Sequence, residues 1–189
     1  MASLFTTTAR ITHITPLPPT TTLPQAIAML HDYDFILHCD PHLAKYEMIP
    51  TSTPPALPAA IQSRRAVAVE GDNSSTATVS YSVTDVVHAI PAGLWDTNVV
   101  STYEFTRLAN GIFVRIKSPM AIVMDTVWEV KEGKEGLEMV EDVEIRCSRL
   151  LMGVVKGQCE GNWRAIHGKM VGRLEAEAAT KVEKVSGES

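Results

Sequence analysis

Nowhere does this chain of 189 residues carry an apolar run near the ~20 residues that a helix needs to cross a bilayer. Nor is positive charge gathered into a stripe. Its 17 Lys and Arg stand against 22 Asp and Glu, a net charge of −5, and that balance disfavours nucleic acid as a partner. Cysteine is sparse: Cys39, Cys147 and Cys159 are odd in number and lack zinc-type spacing. They argue against a disulfide framework and for a reducing compartment. The stretch Met1 to Thr8 has neither a charged segment nor an apolar core. No signal peptide is expected, and a cytoplasmic location is the default.

The standard catalytic signatures are missing as well. The histidines (His13, His31, His38, His42, His88, His167) form no HExxH or comparable ligand set. His38 and His42 have i,i+4 spacing, but Pro41 interrupts any helix there, so no metal site is expected. No glycine-rich phosphate loop follows a strand and no GxSxG elbow occurs. No cofactor is expected.

What is present is globular: 45% hydrophobic and 21% charged, enough for one domain over residues 1–178. A polar tail, 179–189, is expected to fray. Residues 3–13 read as a first strand, 15–22 as a loop, 23–31 as a helix with Pro24 in its first turn, and 33–39 as a second short helix. The proline-rich stretch 50–58 is a surface crossing or a flap over a pocket mouth. A short strand at 64–70 and a turn at 71–75 follow. Antiparallel strands are then expected at 77–90, 98–108, 112–118, 121–130 and 137–147.

Asn110-Gly111 is the strongest hairpin signal. Taken as the two-residue loop, it places Arg107 opposite Val114, Phe105 opposite Ile116 and Glu104 opposite Lys117. Tyr103, Phe105, Val114 and Ile116 then share one face. Ile122, Met124, Thr126, Trp128 and Val130 share a face by the same alternation, as do Leu137, Met139, Glu141, Val143 and Ile145. The opposite face of the last strand is mostly charged and faces water. The apolar face needs a cover. A long helix beginning between Ser148 and Val155 supplies it, with Met152, Val155, Cys159, Trp163, Ile166, Met170 and Leu174 in one stripe. Gly153, Gly157, Gly161, Gly168 and Gly172 lie on its back, where the helix bends or a second copy of the chain packs as a homodimer.

Glu141 is the sharpest single residue, a carboxylate on an apolar face and therefore a candidate general acid or base. The plainer reading makes it a rim residue, or the partner of a basic side chain such as Arg107. Tyr81, Asp85 and Tyr103 fall on the same side of the sheet. With Glu141 they could polarise a carbonyl and move a proton; otherwise the tyrosines are core aromatics and Asp85 lies outside after a bulge. Cys147 and Cys159 read as buried, inert thiols.

The order of elements resembles the helix-grip fold of the START and plant pathogenesis-related allergen superfamily. The segments LHDYDFILHCDP (30–41), TDVVHAIPAGLWDTNVVSTYEFTRLANGIFVRIKSP (84–119) and CSRLLMGVVKGQCEGNW (147–163) resemble an uncharacterised family of filamentous-fungal START-like proteins. Those motifs have no assigned chemistry. The resemblance implies an α+β domain: a curved antiparallel sheet of about seven strands, two short helices and a long C-terminal helix around an apolar cavity. It also implies either a cofactor-free cyclase or isomerase of secondary metabolism or a carrier of sterols and other lipids. Phe105, Met124, Trp128, Met139, Cys159, Trp163, Ile166 and Met170 are the expected walls for a small hydrophobic ligand, with Glu141, Asp85, Tyr81 and Tyr103 as the catalytic candidates.

Overall fold

The computed structural model describes residues 6–51, 57–63, 78–88 and 96–186. In chain order these form β1 (Thr6–Pro16), α1 (Leu23–Leu30), α2 (Tyr33–Cys39), β2 (Leu43–Ile49), α3 (Ala59–Gln62), β3 (Val79–His88), β4 (Asp96–Leu108), β5 (Gly111–Ser118), β6 (Ile122–Glu132), β7 (Leu137–Ser148) and α4 (Arg149–Ser186). The strands make one antiparallel sheet in the order β1-β7-β6-β5-β4-β3-β2. The expected strand at 64–70 and turn at 71–75 lie outside the described residues.

Three expectations need correction. Strand β2 was not anticipated, and it forms one edge of the sheet with a bulge between Leu43 and Lys45. Helix α4 does not end near Ala178 but continues to Ser186. The hairpin closes at Leu108 opposite Gly111, so its loop is Ala109-Asn110. Phe105 therefore faces Val114, Arg107 faces Ile112 and Glu104 faces Arg115. The slip is two residues, so every side chain keeps its face. Gly111 is needed for another reason: a Cβ there would lie 1.9 Å from the Trp128 carbonyl oxygen. From the other side, the half-buried His31 ring donates from Nε2 to the Gly111 carbonyl at 2.9 Å.

On the concave face, Tyr81, Phe105, Ile112, Val114, Trp128, Val130 and Met139 pack with α1, α2 and the second half of α4. Asp32 caps α2 by accepting from the Phe35 amide and pairs with Arg173 of α4 at 2.7 Å. Lys169 donates to the His38 carbonyl at 2.9 Å. These contacts fix α2 against α4 and close one end of the concave face. On the convex face Leu57 and Ile61 cover Leu108, Phe113 and Val127. The described end of the proline-rich stretch is thus on the side away from the helix, which rules out a flap for that part.

The apolar stripe of α4 is as expected. Met152, Val155 and Cys159 pack towards Ile11, Val143 and Ile145, and Met170 and Leu174 are buried further along. Gly153, Gly157, Gly161, Gly168 and Gly172 face open space, since an added methyl at each meets nothing within 4 Å.

Candidate functional site

Sheet and helix do not meet along their whole length. Between them lies a cavity of about 520 Å³, walled by Phe105, Val114, Ile116, Met124, Trp128 and Val143 from the sheet and by Val155, Cys159, Trp163 and Ile166 from α4. Its rim is formed by the turn after β5 and the first turns of α4, where Met120 and Val154 are largely exposed. Most of the surface is hydrocarbon. Two polar poles interrupt it.

The deeper pole is built on Glu141. The register places it between His13 of β1 and Trp128 of β6. Its Oε2 accepts from His13 Nδ1 at 2.7 Å and lies 3.3 Å from His167 Nε2. Glu141 is 6% exposed and His167 2% exposed, so both are withdrawn from water. Nδ1 of His167 meets Thr15 Oγ1 at 2.7 Å, and its Nε2 accepts from the Trp128 indole at 3.4 Å. The His13 ring stacks on Trp163 with centroids 4.4 Å apart and planes 11° from parallel. Among the described residues His13 Nε2 has no hydrogen-bond partner, and the ring lines the cavity. A carboxylate on Nδ1 and an aromatic face on the ring orient an imidazole for proton transfer at Nε2. Arg107, the partner foreseen for Glu141, sits over the Tyr33 ring instead.

Sequence reasoning missed both histidines, although each carried a signal. His13 shares its strand face with Ile11, and His167 falls on the helix stripe, four residues after Trp163 and three before Met170. Among the described residues no group of three His, Cys, Asp or Glu is placed to hold a metal ion.

The second pole is Asp85 with Tyr103. Strand β3 runs without a bulge against β4, so alternation does carry Asp85 inward. Tyr103 donates its hydroxyl to Asp85 Oδ2 at 3.3 Å, while the buried Oδ1 accepts no hydrogen bond from the described residues. Burial, reinforced by Asp40, pushes the Asp85 carboxyl up to about 6, against the pull of Tyr103 and His42. Burial and the Asp85 charge hold the Tyr103 hydroxyl well above its usual range, so it remains a donor.

A carboxyl raised in the native state binds its proton more tightly there than in the unfolded chain. Stability therefore falls as pH rises from the ordinary 3.8 to about 6 and stays lowered above that. Asp85→Asn is expected to stabilise the protein by about 1–2 kcal/mol at pH 8, after allowing for screening by water in the cavity, and not at all near pH 4. Denaturant melts at the two pH values check this; equal effects at both would remove the strain assigned to Asp85.

The other expected site residues divide. Phe105, Met124, Trp128, Cys159, Trp163 and Ile166 line the cavity. Tyr81, Met139 and Met170 do not. They are core residues, with Tyr81 edge-on to Phe105 at 5.7 Å. Cys159 lies 3.8 Å from the Met124 sulfur, and burial pushes its thiol up to about 11, so it is unreactive.

Solved structures share this architecture. The di-domain ARO/CYC StfQ from the steffimycin biosynthetic pathway superposes with a TM-score of 0.59 at 8% identity, over 93% of this chain and 52% of that one. The chain thus spans about half of that protein. The Zhui aromatase/cyclase from Streptomyces sp. R1128 gives 0.56 at 12% identity over 90% and 94% of the two chains. Truncated norcoclaurine synthase from Thalictrum flavum gives 0.51 at 12% over 90% and 96%. At these identities the likeness establishes the fold, a helix-grip domain, and no activity. Among curated proteins none matches the chain. Residues 6–176 match the model of DUF7053, a domain of unknown function, and the chain belongs to that family.

Proposed function

We propose that this chain is a cofactor-independent cyclase or isomerase for a hydrophobic small molecule held in the cavity. The observation that carries the reading is the Glu141–His13 pair, an oriented imidazole on the wall of a largely apolar chamber, its Nε2 without a hydrogen bond among the described residues. His13 takes a proton from an acidic carbon of the substrate and returns it elsewhere on the same molecule. No oxidant or reductant enters that balance. The imidazolium formed on the way is flanked by the Glu141 carboxylate and the Trp163 face, both of which favour positive charge. The side-chain amides of Gln158 and Asn162 are hydrogen-bond donors on the helix wall for a carbonyl oxygen. The apolar walls fix the conformer that reacts.

Likeness in fold to aromatase/cyclases supports a place in secondary metabolism. The three free cysteines support an intracellular setting, and none of the described helices is long and apolar enough to cross a membrane. A second reading, a carrier of lipid or another hydrophobic metabolite, is favoured by one feature. Met120 (69% exposed) and Val154 (59% exposed) stand at the cavity rim, where cargo would enter from an apolar source.

Native mass spectrometry of the purified chain, with extraction of what it carries, tests the proposal. The expected result is a small polyfunctional metabolite that the protein converts to an isomer of equal mass, or to a cyclised product, on addition of more of the extracted precursor. Stoichiometric acyl lipid or sterol recovered unchanged would establish the carrier instead.

A further inference from the structure

We infer that the cavity takes a ligand whose far end carries a protonated amine, bound at Asp85 near the rim while the reacting part lies at His13. The inference rests on the cavity proposed above as a binding site and adds the chemistry of its second pole. In the sheet, β7 and β3, which carry Glu141 and Asp85, are separated by β6, β5 and β4, roughly 19 Å of sheet at ordinary strand spacing. Along the strands the poles are also staggered. Glu141 is level with Trp128 and Ile112, whereas Asp85 pairs with Val99 at the end where β5 turns into β6. A ligand touching both therefore runs diagonally through the cavity, past Val114, Ile116 and Met124.

Asp85 is built for a donor. It is 9% exposed and lines the cavity, and one of its oxygens is buried without a hydrogen bond among the described residues. An unsatisfied buried acceptor is costly to keep, which is the usual mark of a group completed by a ligand. Tyr103 on β4 donates its hydroxyl to the other oxygen. From the connection between α2 and β2, Asp40 and His42 also line this part of the wall, and Asp40 Oδ1 accepts from the His42 amide at 2.8 Å. Two carboxylates against one imidazole make the field here negative. A ligand carboxylate is repelled, a hydroxyl is accepted, and an ammonium group is both accepted and attracted.

Calorimetric titration with decylamine, 1-decanol and decanoate tests this on the full chain. Decylamine is expected to bind about tenfold or more tightly than decanoate, with decanol between them. Asp85→Asn, which keeps the shape, should bring the amine and the carboxylate to within roughly threefold of each other. In the unaltered protein, amine affinity should rise with pH through about 6 as Asp85 ionises. A slope of the same size in Asp85→Asn overturns the assignment to Asp85 and passes it to Asp40 or His42 on the same wall. Equal binding of all three probes, or a preference for the amine that survives Asp85→Asn intact, overturns the inference and leaves the cavity reading standing. Binding of none of them overturns both.

Discussion

Replacing Glu141 with alanine should lower the stability of this protein by about 3 kcal/mol, roughly 6–12 °C in melting temperature for a chain of this size. The side chain is buried on β7, is bonded to β1 through His13 and lies 3.3 Å from His167 Nε2 of α4. Alanine leaves the His13 Nδ1 donor without its acceptor, opens a hole beside Trp128, and removes the group nearest His167 Nε2. An unsatisfied buried donor alone costs about 1–3 kcal/mol, and the cavity adds to it. Glu141→Gln keeps the volume and an acceptor oxygen, so about 1 kcal/mol is expected for it. Thermal melts of the two variants separate these cases. If alanine melts together with the unaltered protein, the carboxylate is not bonded to His13 and the orientation of that ring has no basis.

That Glu141 is inside was readable from alternation along residues 137–147. Its partners were not readable, because they come from 128 residues before it and from a helix after it, and nothing local links them. The same limit applies to Asp85. Alternation set its face, while its orphaned oxygen depends on how β4 and the connection to β2 converge around it. Local signals misled in two places. Gly111 looks like a turn residue, yet its lack of a side chain answers the close approach of the Trp128 carbonyl, and the turn lies one residue earlier. The residues of β2, LAKYEMI, show no inside–outside alternation, because an edge strand with a bulge buries only part of one face. Shape was legible because hydrophobic period fixes faces. Tyr81, Met139 and Met170 show the remaining limit: period assigns a residue to the inner face but not to the wall of a void or to the packed core beside it.

Turnover should depend on His13 more than on any other residue of the cavity. Once a substrate is in hand, His13→Gln is expected to reduce kcat at least about 100-fold, the usual contribution of a positioned general base. The ring lines the cavity, but its substitution leaves the apolar walls in place, so KM should change little. Glu141→Gln isolates orientation from proton transfer. The amide can present either an acceptor or a donor to Nδ1, so part of the population holds the imidazole in the wrong tautomer. A drop in kcat smaller than that of His13→Gln is expected. The pair also discriminates between the two functional readings. A carrier needs shape and hydrophobic area, and neither variant alters those by more than a side-chain terminus, so its ligand occupancy by native mass spectrometry should be unchanged in both. Loss of turnover with retained occupancy assigns the chemistry to the imidazole. Retained turnover in His13→Gln moves the proton transfer away from the deeper pole altogether, and the carboxyl of Asp85, at about 6, is then the next titrating group within reach of the ligand.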